Sequence, residues 1–386
     1  MKVLVLNSGS SSVKYQLIET SLELMAANAD KVLARGGIDR IGEAVRDHDA
    51  AIQMALGQLT EPGRGAIQKL DEIEAVGHRM VHGGDYFSEP VQIDDAVAAR
   101  IRECSALAPL HNPHNLSGYE AARRLLPDAA HVAVFDTAFH QTLAPPAYTY
   151  GLPYEMCARH KLRRYGFHGV SHRYVSLRYA EIHGRPPGDF KLITCHLGNG
   201  CSMCAIDGGR SIETSMGFTP LEGLVMGTRG GDIDPGALVH FMKWEGLDAA
   251  ALDALLNHSS GLLGISGISN DMRELLARSG EPRAQLAIDV FAHRVRKYIG
   301  AYFAVLNGAD AVIFTAGIGE HSPAVRAAAC RSLGALGIRI DAARNDQAVG
   351  VEMDISAADA STRVWVIPTN EELLIGRDTV RCIHVS

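Results

Sequence analysis

The sequence has no long apolar run, no basic tract and few aromatic side chains. Aromatics are 6% of its 386 residues, with 2 Trp. No stretch reaches the roughly 20 apolar residues that a helix needs to cross a bilayer. The opening MKVLVLN has only a short apolar run after Lys2, so it reads as a buried strand rather than a secretory leader. A net charge of −7 without a lysine or arginine cluster argues against nucleic acid as a partner. Seven cysteines, an odd number scattered from Cys104 to Cys382, do not make a disulfide framework and suit a reducing compartment. A cytoplasmic location is therefore expected. Two common phosphate cradles are also missing: there is no GxxxxGK[ST], and no GxGxxG opens a helix. A P-loop NTPase and a dinucleotide fold are both disfavoured.

What is present is glycine, 39 residues of it, in a chain long enough for two domains. KVLVLNSGSSSVKYQLIE reads as strand, Gly/Ser turn, strand, because apolar and β-branched residues flank a polar cluster that can extend neither element. KLITCHLGNGCSMCAIDGG, residues 191–209, repeats that grammar. AVFDTAFH (133–140) and AVIFTAGIGE (311–320) are apolar strands ending at small or acidic residues, and they are matched to each other. A hairpin followed by a strand with a polar end thus occurs twice, which predicts a duplicated α/β unit. Ile288, Phe291, Val295, Ile299, Phe303 and Leu306 recur every three or four residues and predict a buried helix over 285–306. SGYEAARRLL predicts a second helix, capped by Ser117 and ended by Pro127. Residues 20–75 carry too little pattern to place elements.

The two hairpin turns, 7–12 and 197–201, supply small residues where backbone N–H groups could converge on phosphate oxygens. A lone Gly/Ser hairpin is ordinarily structural, so the repetition carries the argument. TAGIGE offers two further glycines, Gly317 and Gly319, where backbone could lie flat against a nucleoside, the plainer alternative being a tight strand-to-helix turn. Arg79 in GHRMVHGGD and Arg229 in MGTRGGDIDP are lone cations among small residues. A guanidinium fork suits a carboxylate or a transferring phosphoryl group, against the plainer reading of a surface ion pair. Asp136 and Glu371 each follow an apolar run; beside phosphates they imply Mg²⁺, and as isolated acids they would be helix caps. His78/His82 and His168/His172 are spaced i, i+4 but lack the HExxH glutamate, and Cys201-x-x-Cys204 has no second pair, so zinc and thiol redox chemistry rank low.

VLNSGSSSVKYQL, GHRMVHGG, LAPLHNP, VFDTAFHQT, YGFHGVSH, CHLGNG, ETSMGFTPLEGLVMGTRGGDIDP, FTAGIGE and IPTNEE occur in this order, and together they resemble acetate kinases. The resemblance runs from residue 1 to about 380. It implies a duplicated actin-like (ribonuclease H-like) two-domain fold with the active site in the interdomain cleft. The expected domains are 1–138, completed by a helix of about 372–386, and 139–371. By position, Asn7 and Glu371 match magnesium-associated groups, with Asp136 a catalytic acid organising that ion. Arg79 and Arg229 flank the reacting anions, and His168 steadies the transition state. Lys14, His196, Asn199 and Gly200 fall on the phosphate side of the nucleotide; Asp271, Arg273, Gly317 and Gly319 fall on the nucleoside side. Val81, Leu110, Phe167 and Pro220 line an acyl pocket with Arg79.

Two departures from the family pattern bear on this reading. Met272 stands where an NDFR-type sequence has Phe, so adenine is expected to meet a thioether, and Cys201 and Cys204 replace residues that are usually not Cys, which suggests sensitivity to oxidation. The implied reaction is transfer of the ATP γ-phosphoryl group to acetate, with ATP/ADP as co-substrate, Mg²⁺ or alternatively Mn²⁺ as the ion, and a homodimer as the assembly. Its rivals are a propionate or butyrate kinase and an actin-like ATPase with no acyl acceptor.

Overall fold

A computed structural model describes residues 1–109 and 111–385. It divides into two units, Met1–Gln141 with Asn370–Ser386, and Thr142–Thr369.

The first unit is built on β1 (Lys2–Ser8), β2 (Ser12–Glu19), β3 (Lys31–Asp39), β4 (Ala75–Met80), β5 (Val91–Gln92) and β6 (Ala130–Phe135), in the sheet order β3-β2-β1-β4-β6-β5. The second unit is built on β7 (Lys191–Leu197), β8 (Cys201–Asp207), β9 (Arg210–Thr214), β10 (Ala311–Thr315), β11 (Met353–Asp354) and β12 (Arg363–Val366), in the order β11-β12-β10-β7-β8-β9. Read from the other edge, the second order is the first repeated. The pairing directions agree too: an antiparallel meander of three strands, two strands added in parallel, and an antiparallel edge. The duplication is therefore real, but the expected partnership of 133–140 with 311–320 is off by one strand. β10 corresponds to β4, and β6 corresponds to β12. The error arose because an apolar strand ending in a small or acidic residue is a local signal, while correspondence is set by sheet position.

In the first unit β1 is apolar on both faces, as a central covered strand must be. Leu4 and Leu6 point to one side, where helix His48–Leu59 and helix Asn112–Leu125 bring Ile52, Leu56, Leu59, Ala121 and Ala122 into one core. Burying each of the larger side chains is worth about 1.5–3 kcal/mol. Val5 points the other way, toward helix Glu371–Val385. That helix lies close enough that a Cβ on Gly77 of β4 would sit 2.4 Å from Thr379 Oγ1 and 2.9 Å from Ile375 Cγ2.

In the second unit, Thr194 and His196 of β7 face helix Gly169–Ile182, through hydrogen bonds to His172 and Ser171. Helix Pro282–Val305 buries Ile288, Phe291, Val295 and Ile299 as the periodicity predicts; Tyr302 replaces Phe303 as the buried residue of its last turn.

Three expectations need correction. Ser117 is no cap: the helix starts at Asn112 with Pro113 in its first turn, and Ser117 Oγ donates to Pro113 O at 3.0 Å. TAGIGE forms a short helix, Ala316–His321, rather than a flat cradle. The stretch 20–75 holds β3, helix Leu22–Ala26, helix His48–Leu59 and a 3₁₀ turn at Leu70–Glu72.

Gly77→Ala is expected to destabilise the protein by about 1–3 kcal/mol, because backbone and helix cannot both stay in place. Gly57→Ala is the control: it lies exposed in helix His48–Leu59 with nothing within 4 Å of an added Cβ, so it should stabilise by about 0.5–1 kcal/mol. Urea unfolding of both variants measures the contrast.

Candidate active site

In the first unit the residues expected to handle anions gather at the carboxyl ends of parallel strands, where an α/β sheet leaves room for a ligand. In β4, Val76 and His78 face the helices, so alternation turns Gly77 and Arg79 toward helix Glu371–Val385. Arg79 Nη2 pairs with Asp136 just past β6, Nη1 donates to Asn7 Oδ1 at the end of β1 (3.4 Å), and Nε lies 3.7 Å from Glu371 Oε2. Asn7, Arg79, Asp136 and Glu371, expected from sequence to act together, are thus together. Lys14 is opposite Asn7 in the β1/β2 register and its side chain is exposed.

The cluster is under-neutralised. Asp136 is 1% exposed, and its Oδ1 has no hydrogen-bond partner; neither has the buried Arg79 Nε. An unpaired buried polar atom costs about 1–3 kcal/mol, so these atoms await a ligand. Burial pushes the Glu371 carboxyl up to about 7, with Arg79 opposing and Asp136 adding to the rise. Burial also raises Asp136, against the pull of Arg79. Two carboxylates and an amide oxygen make a hard donor set that fits Mg²⁺, which typically takes one or two protein carboxylates and fills its shell with water and phosphate.

The backbone after β4 is held by amides that the sequence reading missed. Val81 N donates to Asn115 Oδ1 and His82 N to Asn112 Oδ1, both at 3.0 Å, while Asn115 Nδ2 donates to Ser8 O at 2.6 Å. The available signal was the HNPHN run at a helix start, where polar residues should be caps but here reach across to the strand ends. Val81 is 7% exposed. Leu110, expected beside it, lies outside the described residues.

In the second unit the β7–β8 turn carries Asn199 and Gly200. A Cβ on Gly200 would stand 3.4 Å from Arg229 Nη2 and 3.7 Å from His168 Nε2, so both side chains bear on the same space. Arg229 Nη1 donates to Pro220 O at 2.9 Å. Among the described residues no carboxylate pairs with this half-buried guanidinium, and burial lowers its pKa. Its counter-charge is left to a ligand. His168 has a left-handed backbone (φ 56°), and its ring stacks on His196 at 4.1 Å between centroids. Phe167, beside it, is 3% exposed. Asn199 accepts from Asn270 Nδ2 at 3.3 Å and fits only because residue 227 is glycine: a Cβ there would be 1.9 Å from Asn199 Oδ1.

Other expected residues stand differently. Asp271 caps helix Met272–Ala277 and pairs with the exposed Arg273, so both already have structural partners in each other. Met272 is 2% exposed, which removes its thioether from any surface an adenine could reach. Gly317 is exposed with open space before it, whereas Gly319 is buried beside β7, where an added Cβ would meet ordinary contacts such as Cys195 O at 3.5 Å. Cys201 and Cys204 are buried thiols outside any disulfide, raised by burial, Cys201 to about 12, so they are poor targets for oxidation. His78 is on a strand and bonds His131, not His82, which removes the helical ligand pair.

Two sheets of one topology, with an incompletely neutralised arginine at a strand end of the first unit and another in a loop of the second, define a duplicated two-domain α/β kinase. The model of the "Acetokinase family" matches residues 2–377. The acetate kinase of Caldicellulosiruptor saccharolyticus is 50% identical over 100% of both chains. The crystal structure of Porphyromonas gingivalis acetate kinase superposes with a TM-score of 0.94 at 44% identity, covering 99% of each chain. A propionate kinase from Francisella tularensis gives 0.87 at 39%, covering 98% of this chain and 99% of its own. The chain belongs to the acetokinase family, whose members transfer phosphate to a carboxylate with ATP and ADP as co-substrates.

The Glu371 carboxyl yields a pH prediction. Its folded pKa of about 7 exceeds the unfolded value near 4.5, so its contribution to stability is full below pH 4.5 and is lost as pH rises through 7. Glu371→Gln should therefore stabilise the ligand-free protein by about 1–3 kcal/mol at pH 8 and by nothing measurable at pH 4.5, read by denaturant unfolding at each pH.

Proposed function

We propose that this chain transfers the γ-phosphoryl group of ATP to acetate, reversibly, giving acetyl phosphate and ADP. The observation that carries the reading is Arg229, a half-buried guanidinium without an acidic partner among the described residues, which bears, with His168, on the space above Gly200. A charge in that position is costly until an anion arrives.

The nucleophile is the acetate carboxylate itself, ionised at neutral pH because its pKa is about 4 to 5 by analogy with Glu. No general base is required, so Asp136 serves to organise the cation rather than to take a proton. Asn7, Asp136 and Glu371 would hold Mg²⁺, or Mn²⁺ in its place, directly or through water. When bound, that ion supplies neutralisation of the phosphate oxygens. Arg79 and Arg229 offset charge as carboxylate meets phosphoryl in line, and His168 donates to an equatorial oxygen. Lys14, His196, Asn199 and Gly200 hold the nucleotide phosphates, with Asp271, Arg273 and Gly317 toward the nucleoside. For the acyl methyl, Val81 is the contact proposed in the first unit and Phe167 and Pro220 those in the second; one methylene against apolar side chains is worth roughly 1–3 kcal/mol. The likeness to a propionate kinase makes propionate the second acceptor to test.

A second copy of the chain is the proposed partner. Helix Pro235–Glu245 buries no residue and leaves Val239, Phe241 and Trp244 exposed, Trp244 at 74%. Seven cysteines, none in a disulfide, support a reducing, cytoplasmic setting, and among the described residues no helix is long and apolar enough to cross a membrane.

Arg79→Ala and Arg229→Ala should each lower kcat by about 10³-fold or more, measured as hydroxamate from acetyl phosphate with ATP and Mg²⁺. Near-normal turnover in both would remove the assignment. The same assay with acetate, propionate and butyrate ranks the acceptors, and phosphate release without any carboxylate would point to a plain ATPase. Trp244→Glu should halve the mass found by light scattering; an unchanged mass would place the subunit contact elsewhere.

A further inference from the structure

Behind His168 runs a file of polar side chains that charge neutralisation does not explain. Ser202 Oγ, on β8, lies 2.9 Å from His168 Nδ1 and 2.7 Å from His172 Nε2. His172 Nδ1 in turn lies 2.7 Å from Thr194 Oγ1, on β7. Ser202, His172 and Thr194 are all 0% exposed, in the interior of a unit where uncompensated polar groups are costly. The helix also fixes the spacing: His172 N donates to His168 O at 3.0 Å, closing the first turn so that both rings meet one hydroxyl.

A neutral imidazole has one N–H and one bare nitrogen, and a hydroxyl has one proton. Ser202 Oγ could accept from both rings only by leaving its own buried proton without either of them as acceptor, so with every link made and that proton bonded within the file, two directions remain. The direction is decided at Thr194. Its other acceptor, Cys204 O, is 3.4 Å away, beyond the 2.5–3.0 Å of a sound O–H···O bond. The Thr194 proton therefore goes to His172 Nδ1 at 2.7 Å. His172 then carries its proton on Nε2 and donates to Ser202, and Ser202 donates to His168 Nδ1. His168 is left with its proton on Nε2, the nitrogen that shares the space above Gly200 with Arg229 Nη2.

We infer that Ser202, His172 and Thr194 are positioning residues that fix His168 as its neutral Nε2–H tautomer, presenting a hydrogen-bond donor rather than a lone pair to the transferring phosphoryl group. A lone pair there would face phosphate oxygens and repel them. The inference rests on the role given to His168 in the proposed function. No proton is transferred; the file sets which nitrogen holds it.

The test is ¹⁵N-histidine labelling of the full-length protein, with His168 assigned by its loss in His168→Gln and its tautomer read from long-range ¹H–¹⁵N couplings. The wild type should show Nε2–H. Ser202→Ala should move His168 toward Nδ1–H and lower kcat by about tenfold or more, with KM for ATP and acetate within about twofold, as expected for loss of an interaction made in the transition state. Ser202→Thr, which keeps the hydroxyl, should restore both. Should Ser202→Ala fail to fold, Thr194→Val is nearly isosteric, touches neither Ser202 nor His168 by a direct bond, and should still shift the His168 tautomer. A wild-type ring in the Nδ1–H or doubly protonated form, or a tautomer unmoved in both variants, overturns the inference. Normal turnover in His168→Gln would instead overturn the role of His168 itself, with the tautomer still open to measurement.

Discussion

Charge that the protein does not finish neutralising is what the rest of the structure is arranged around. Arg79 is shared among Asn7, Asp136 and Glu371, and atoms on both sides of its pairing with Asp136 remain without hydrogen bonds. Arg229 in the other unit has a carbonyl but no acid. Complete salt bridges would make a more stable fold and a useless one, since an anion could then bind only by breaking them. The flanking backbone must therefore hold these groups firmly. Amides from Asn112 and Asn115 clamp the chain after β4, and Gly227 and Gly77 make room for a neighbour that any side chain would displace.

The duplication explains why the groups fall where they do. Val3 pairs with Ala75 in the first sheet as Leu192 pairs with Ala311 in the second, so Asn7 and His196 occupy equivalent positions at the ends of β1 and β7. Arg79 is likewise equivalent to Thr315. One sheet has thus placed an amide and a cation at positions where the other has an imidazole and a hydroxyl. A single architecture supplies two chemically different strand ends.

Much of this was legible in residues 1–19 and 191–209, because a strand, a Gly/Ser turn and a returning strand are local matters of propensity and steric freedom. The long helix 282–305 was legible for the same reason, its apolar stripe being periodic. What could not be read was set by tertiary position. Ser117 resembled a cap but lies inside a helix begun at Asn112, and Gly319 resembled a ligand-facing glycine but is buried in a short helix beside β7. His172 was visible as the i+4 neighbour of His168. The spacing does bring the two rings to one partner, but that partner, the Ser202 hydroxyl, could not be read from it, because Ser202 is on a strand thirty residues further along the chain.

Helix Glu371–Val385 has a consequence for how the molecule is made. It covers one face of a sheet whose six strands are complete by residue 135, yet the whole second unit is translated before it. Until residues 370 onward leave the ribosome, Val5, Gly77 and their neighbours on that face have no cover, and Glu371 is absent from the side of Arg79. The first-made half of the chain is thus the last to finish folding, and its bare sheet is a natural client for a chaperone in the interval.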